Sequence, residues 1–168
     1  PSAFYKLVST LIDQGYSVDF VSDRFLEEAV AEDGKIALSG LEYEALVVPQ
    51  CDKMSIGSFK TMAALSQAGG RVFFGGIPGS VPGYHQHGKR TEQLKELTGA
   101  MEKDLMVTQN IPEALSKAGI HGEALKEHGL DFIRREMADG KIYYLVNHTP
   151  NTLDGYIPLN HRAGSVLI

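Results

Sequence analysis

The feature of this sequence that most constrains its fold is the stretch of residues 43–76. A short apolar run over residues 43–49 ends at a proline and is followed by a helical segment over residues 55–67. A second apolar run, residues 71–74, comes after Ala-Gly-Gly and is closed by two further glycines. This order of a strand, a helix that ends at glycines and a second strand predicts one right-handed βαβ unit of a parallel sheet. The sites of such sheets lie just beyond the carboxyl ends of the strands.

The size and composition of the chain fit one domain, or one domain and part of another. Of its 168 residues 43% are hydrophobic and 22% charged, as in ordinary globular proteins. The net charge of −5 and the scattered lysines and arginines argue against a nucleic-acid partner. No apolar run approaches the roughly 20 residues of a membrane helix, so we expect no membrane partner. The chain opens without Met and closes on an apolar run, and we interpret it as a segment of a longer protein.

Helical and strand patterns precede the βαβ unit. Apolar residues at positions 4, 7, 8, 11 and 12 predict an amphipathic helix that ends at Gly15. Residues 17–21 alternate as a strand does, and Asp23 is expected to cap a short helix that reaches Ala31. Residues 35–38 are predicted to form a further short strand.

Residues 77–88 interrupt the alternation of strands and helices. Glycine and proline are frequent there, so this segment is predicted to be a loop. A helix is expected over residues 89–103 and a short strand over residues 104–108. Pro112 suits the first turn of a helix that ends near Gly119.

From Asp131 the period of the sequence changes to that of antiparallel strands. Asp139-Gly140 is a two-residue hairpin signal, flanked by residues 132–136 and 142–147. Residues 155–159 and 164–168 are predicted to form two more strands. This segment is therefore either an edge hairpin of the sheet or the start of a β domain.

Two groups of motifs resemble known families. The pieces GYSVDFVS, YEALVVPQCDKMS and AALSQAGGRVFF resemble the glutamine-amidotransferase-like (flavodoxin-like) domain that is embedded in large bacterial glycoside hydrolases. The piece LDFIRREMADGKIYYLVNHTPNTLDGYIPL resembles the segment after that domain in α-L-rhamnosidase-type glycoside hydrolases, where a hairpin leads into a β-sandwich. Together these resemblances cover most of the chain.

The resemblance implies an α/β fold. Residues 1–130 would form a three-layer flavodoxin-like (class I glutamine-amidotransferase-like) parallel sheet between helices, without the first strand that normally precedes the helix beginning near Phe4. Residues 131–168 would form the antiparallel β segment, which is an edge hairpin or the start of a β-sandwich.

The resemblance also implies a role. The parent would be a bacterial glycoside hydrolase, periplasmic or extracellular, that acts on plant or host glycans. Its catalytic carboxylates would lie in a preceding barrel domain, so this segment is expected to be non-catalytic and to pack against other domains of the same chain. Interdomain surface that stays exposed in the isolated segment is expected to be apolar and to favour homo-oligomers.

Cys51, the single cysteine, supports an alternative function. Amidotransferases use a cysteine nucleophile on a tight strand-to-helix turn, together with a histidine and a glutamate. That turn should follow the strand at residues 72–74, where this chain has Gly75-Gly76, and Cys51 lies one crossover earlier. Cys51 is therefore expected to be a structural thiol, and a small-molecule amidotransferase-like enzyme using it is the alternative.

The loop over residues 77–88 supports a second alternative, a sugar-binding module. Tyr84 offers a stacking face, and His85 and His87 offer hydrogen-bond donors and acceptors near the carboxyl end of a strand. Two imidazoles without further ligands nearby do not complete a metal site, so no metal is expected. No P-loop lysine follows Gly75-Gly76, so no cofactor is expected either.

Asn147 and His148 are further candidates for contact with a sugar, because they lie among polar residues at a turn after the hairpin. Ordinary turn chemistry is the other explanation for them. No catalytic residue is predicted. The nearest carboxylate pairs, Glu27 with Glu28 and Glu42 with Glu44, are expected to face solvent and not to flank a glycosidic bond.

Overall fold

A computed structural model describes residues 2–166 and divides the chain into two compact units. Unit 1 comprises the residues up to Phe4 together with Phe20–Ile120. Unit 2 comprises Tyr5–Asp19 and the chain from His121 onward. The domain boundary that the sequence suggested after residue 130 stays a prediction.

The first elements in the chain are short, apart from the opening helix. These elements are α1 (Ala3–Asp13), α2 (Asp23–Leu26), and the antiparallel strands β1 (Val30–Glu32), β2 (Lys35–Leu38) and β3 (Leu41–Tyr43). The helix ending before Gly15 and the strand over residues 35–38 are confirmed. The prediction that a helix reaches Ala31 is wrong, because Val30 already pairs with Ala37 in a three-stranded sheet. The predicted strand over residues 17–21 is also wrong, since these residues pair with no strand.

The βαβ unit is confirmed. Its elements are β4 (Leu46–Val48), α3 (Ile56–Gln67) and β5 (Val72–Phe74), and the two strands pair in parallel with Val48 opposite Phe74. The helix α4 (His87–Met101) then leads to β6 (Met106–Val107), which pairs in parallel with the other side of β5. β5 is therefore the central strand, and all three of its residues are buried.

Helix caps and an apolar core hold these elements of unit 1 in place. Ser55 caps α3 by accepting a hydrogen bond from the backbone N of Ser58 at 3.0 Å. Phe59 from α3 packs against Phe74 from β5, with ring centroids 6.2 Å apart. The helix α5 (Ile111–Lys117) follows with Pro112 in its first turn, as predicted.

Unit 2 contains a 3-10 helix (Ala124–His128) and the hairpin of β7 (Leu130–Met137) and β8 (Gly140–Asn147). Met137 lies opposite Gly140 across the turn, which confirms the hairpin signal. The predicted strand over residues 155–159 is wrong, because no strand forms there. The last predicted strand reaches beyond the described residues, and its described part, residues 164–166, is not a strand.

Two backbone segments of unit 2 come into direct contact at Gly15 and Gly122. The backbone N of Glu123 donates a hydrogen bond to the carbonyl oxygen of Gly15 at 2.8 Å. A methyl group at Gly122 would overlap the carbonyl oxygen of Gln14, and Gly15 has a φ of +82°. Both positions therefore favour glycine. Among the described residues, no helix combines the length and the apolar character that crossing a membrane requires.

Candidate functional site

Unit 1 contains a cleft of about 360 Å³ just beyond the carboxyl end of β4. Its lining includes the residues that leave β4, the first turns of α3 and the first residue of α2. Pro82 from the loop after β5 also lines it. Backbone hydrogen bonds hold that loop, since Met54 N donates to Ser80 O at 3.0 Å. The cleft lies at the edge of the sheet where parallel α/β folds bind ligands.

Three hydrogen-bonded side chains form part of the cleft. Ser58 Oγ donates to Asp23 Oδ2 at 2.8 Å, and the Oγ atoms of Ser55 and Ser58 are 2.6 Å apart. Because the hydroxyl proton of Ser58 goes to the carboxylate, Ser55 is the donor between the two serines. Ser58 is buried, so it fixes the position of Asp23 from the first turn of α3. The second carboxylate oxygen, Oδ1 of Asp23, accepts no hydrogen bond from residues 2–166.

The rest of the cleft combines apolar side chains with two free polar groups. The half-exposed Phe4 ring packs against Phe20 with centroids 5.5 Å apart. Met54, which is buried, also belongs to the lining. Gln50 and Lys53 also line the cleft, and neither side chain hydrogen-bonds or ion-pairs with a described residue. The cleft therefore offers a carboxylate oxygen, an amide and an ammonium group beside apolar surface.

Cys51 lines the same cleft, but its surroundings do not activate it. Burial, and then the charge of Asp52, raise the pKa of the Cys51 thiol above its ordinary value. A nucleophilic cysteine needs the opposite shift. The backbone of Cys51 does not have a positive φ, and no histidine of the described chain lines the cleft. The tight turn and the base that an amidotransferase cysteine requires are both missing at this position.

Tyr84, His85 and His87 lie on the surface of unit 1 at the beginning of α4, of which His87 is the first residue. All three side chains are exposed, and Tyr84 is completely so. One backbone and one side-chain hydrogen bond hold this segment. His87 N donates to Tyr84 O at 3.2 Å, and Arg90 Nη1 donates to His85 O at 3.3 Å. None of the three predicted residues lines the cleft, so their sugar-binding role stays a prediction.

Asn147 and His148 lie at the end of the hairpin in unit 2. Asn147 Oδ1 accepts hydrogen bonds from N and Oγ1 of Thr149 at 2.8 and 2.7 Å, and its Nδ2 donates to Asn151 O at 2.7 Å. His148 is exposed, with Nε2 at 3.6 Å from Asp131 Oδ2. The amide of Asn147 thus serves the turn itself, and contact of either residue with a sugar stays a prediction.

Glu123 is the buried charged side chain among the described residues. Its Oε1 accepts hydrogen bonds from Arg134 Nη1 at 2.6 Å and from the Tyr143 hydroxyl at 2.9 Å. Its Oε2 accepts one from the backbone N of Asn160 at 2.8 Å. Burial, and then the hydrogen bond to Glu123, raise the pKa of Tyr143, which keeps the phenol protonated and able to donate. This carboxylate therefore joins both hairpin strands to the segment after them.

Other carboxyl groups of the described chain take part in surface ion pairs. Glu42 and Glu44 lie 3.0 and 3.5 Å from Lys35 Nζ. Hydrogen bonds from neighbouring lysines lower the pKa of Glu113 and of Asp131. A general acid at neutral pH needs a raised pKa, so neither of these two groups suits that role. No cluster of three or more potential metal-ligating side chains occurs within residues 2–166.

The sequence carried little sign of the groups that this structure brings together. Asp23 and Ser58, which form a hydrogen bond with each other, are 35 residues apart in the sequence. Of the three hydrogen-bonded side chains, the sequence indicated only Ser55, at the start of a predicted helix. Glu123 belongs to no motif, and its partners Arg134 and Tyr143 resemble any alternating strand residues.

Comparison with known proteins adds a family match. The family model for glycoside hydrolase family 106, described as alpha-L-rhamnosidase, matches residues 2–156. No curated protein and no solved structure matches the chain. The matched span includes the parallel sheet of unit 1 and the hairpin of unit 2.

Proposed function

This chain belongs to the alpha-L-rhamnosidase family, glycoside hydrolase family 106, and we propose that it is a non-catalytic accessory segment of such an enzyme. The rhamnosidase-type resemblance found in the sequence is confirmed at the level of the family. The accessory role, and plant or host glycans as the substrate of the bacterial parent enzyme, are proposals that go beyond that match.

The proposal rests on the hydrogen bonds made by the buried carboxylate of Glu123. Glycoside hydrolysis usually requires two carboxyl groups that flank the scissile bond, one of them with a raised pKa. Both oxygens of Glu123 are instead hydrogen-bonded to groups of the same unit, and Arg134 balances its charge. A carboxylate held in this way stabilises the fold and is not free to protonate or attack a sugar.

We propose a flavodoxin-like arrangement for unit 1. Three parallel strands in the order β4-β5-β6, joined through α3 and α4, support this proposal, as does a cleft beyond the carboxyl end of β4. An amidotransferase-like reaction at Cys51 has no such support, because the thiol has a raised pKa and no histidine within residues 2–166 lines its cleft.

We further propose that the hairpin packs against other domains of the same parent chain. Ile133 lies opposite Tyr144, and Met137 and Ile142 project from the same face because side chains alternate along a strand. These four side chains are between 52% and 65% exposed. A two-stranded hairpin is marginally stable by itself, so a neighbouring domain that buries this face would add stability. In the isolated chain the same face would favour homo-oligomers.

Hydrolysis of 4-nitrophenyl α-L-rhamnoside by the purified 168-residue chain tests the absence of catalysis. We expect no release of nitrophenol above the buffer rate. Release that disappears when one Asp or Glu of this chain is replaced by its amide would show that the chain is catalytic and would refute the proposal.

The domain contact is tested by mixing the chain with the catalytic domain of a rhamnosidase from the same family. We expect a complex in size-exclusion chromatography that Ile133→Lys weakens, because a charge would be buried in the contact. Glu136→Gln, on the other face of the same strand, is the matched control and should leave the complex intact. Equal behaviour of the two variants would count against the hairpin as the contact surface.

A further inference from the structure

We propose that the cleft beyond β4 binds one neutral pyranose sugar, with Asp23 and Gln50 contacting its hydroxyl groups and Phe4 packing against its ring. This inference goes beyond the accessory role, because a domain that only packs against its neighbours needs no ligand. It also differs from the sugar-binding site expected on the 77–88 loop, since none of the candidate residues there lines this cleft.

The size of the cleft limits the ligand. Small-molecule sites typically measure roughly 300–1,000 Å³ and are lined mainly by apolar side chains with a few polar groups. A cleft of about 360 Å³ lies at the lower end of that range, which suits one sugar ring.

The charges of the cleft favour a ligand without net charge. Its lining carries one carboxylate, Asp23, and one ammonium group, Lys53, so the two formal charges cancel. The raised pKa of Cys51 keeps that thiol uncharged at neutral pH. A phosphate-bearing ligand would need more than one cation or a nest of backbone donors, whereas hydroxyl groups can use single donors and acceptors of both kinds.

The free hydrogen-bonding groups match the hydroxyls of a sugar. Oδ1 of Asp23 can accept from a hydroxyl, Nζ of Lys53 can donate to one, and the amide of Gln50 can do both. None of these three groups is used by another residue of the described chain. The buried Ser58 fixes the Asp23 carboxylate, so little conformational entropy would be lost there on binding.

Phe4 supplies the apolar part of the proposed site. Its contact with Phe20 restrains the ring, while half of its surface stays open. The C–H groups on one face of a pyranose can pack against such a ring. Tyr84 on the loop is completely exposed, so it offers a ring face without enclosure. The cleft therefore provides the more complete binding site.

Titration of the full chain with L-rhamnose and D-mannose, followed by NMR chemical shifts, tests this proposal. We expect millimolar binding and shifts at residues of the cleft. Asp23→Asn keeps an acceptor for Ser58 but removes the charge, and Gln50→Ala removes the amide; each should weaken binding about tenfold through a lost hydrogen bond. Tyr84→Ala is the matched control and should bind as the unaltered chain does. Native-like spectra of the variants without sugar verify their folding.

Three results would overturn the inference: no binding of either sugar at tens of millimolar, loss of binding in Tyr84→Ala but not in the two cleft variants, or tighter binding of D-galacturonate than of the neutral sugars. None of these would bear on the accessory role, which is judged by hydrolysis and by association with a catalytic domain. Conversely, hydrolysis by the chain would refute the accessory role and leave sugar binding in the cleft to stand.

Discussion

Replacing Glu123 by alanine tests whether its buried carboxylate organises unit 2. The substitution removes the acceptor of three hydrogen bonds, from Arg134, Tyr143 and the backbone of Asn160. It leaves a guanidinium, a phenol and a backbone N–H without the buried carboxylate that they share. The cost should therefore exceed that of losing an ordinary surface contact.

The magnitude follows from the burial of the partners. Removing one member of a fully buried ion pair costs roughly 3–5 kcal/mol. The side chain of Glu123 is 1% exposed and that of Arg134 is 31% exposed. Water can thus reach part of the guanidinium, which places the expected loss for Glu123→Ala at the lower end, about 3 kcal/mol. Glu123→Gln should lose less, about 1–2 kcal/mol, because its oxygen can still accept while its NH₂ group faces the N–H of Asn160.

Urea unfolding followed by circular dichroism measures these losses, and amide hydrogen exchange at Asn160 reports locally on unit 2. Glu127→Ala is the matched control, because Glu127 is exposed, lies four residues away and changes the net charge equally. It should alter stability by no more than about 0.5 kcal/mol. The double variant with Arg134→Ala should lose less than the sum of the two single losses, since the pair is removed as a whole. If Glu123→Ala unfolds at the same urea concentration as Glu127→Ala, the proposed role of Glu123 is wrong.

Three further predictions concern single positions. Gly122→Ala should destabilise the chain by about 1–3 kcal/mol because its methyl group would overlap the carbonyl oxygen of Gln14. Gly99→Ala is the control and should not destabilise the chain, because no atom lies near the added methyl group on α4. Equal urea midpoints for the two variants would contradict the prediction. The folded pKa of Tyr143 is raised, so its contribution to stability is complete below its ordinary pKa and is lost as the pH rises through the folded value. In Tyr143→Phe the melting temperature should therefore fall less steeply as the pH becomes alkaline. An equally steep fall in this variant would argue against the contribution of Tyr143. Alkylation of Cys51 by iodoacetamide should have its pH midpoint above that of free cysteine, and a lower midpoint would revive the nucleophile hypothesis.

The accuracy of the sequence predictions depended on how local each feature is. β4, α3, β5 and the hairpin around Asp139-Gly140 follow from apolar periodicity and turn residues that lie within about 30 positions of one another. The alternating residues 17–21 satisfied the same pattern, yet they form no strand because no neighbouring strand pairs with them. The small sheet over Val30–Tyr43 was only partly predicted, because its three- and four-residue strands are too short to show a period.

The amino-acid sequence by itself determined the βαβ unit, the hairpin and the rhamnosidase family of this protein, because each depends on adjacent residues or on a pattern along the chain. Only the tertiary structure decided that Asp23 meets Ser58 beside Phe4 in one cleft, and that Glu123 accepts hydrogen bonds from Arg134, Tyr143 and Asn160. Such contacts join residues between 11 and 37 positions apart. Their geometry depends on how whole elements pack, and no local preference of the backbone encodes it.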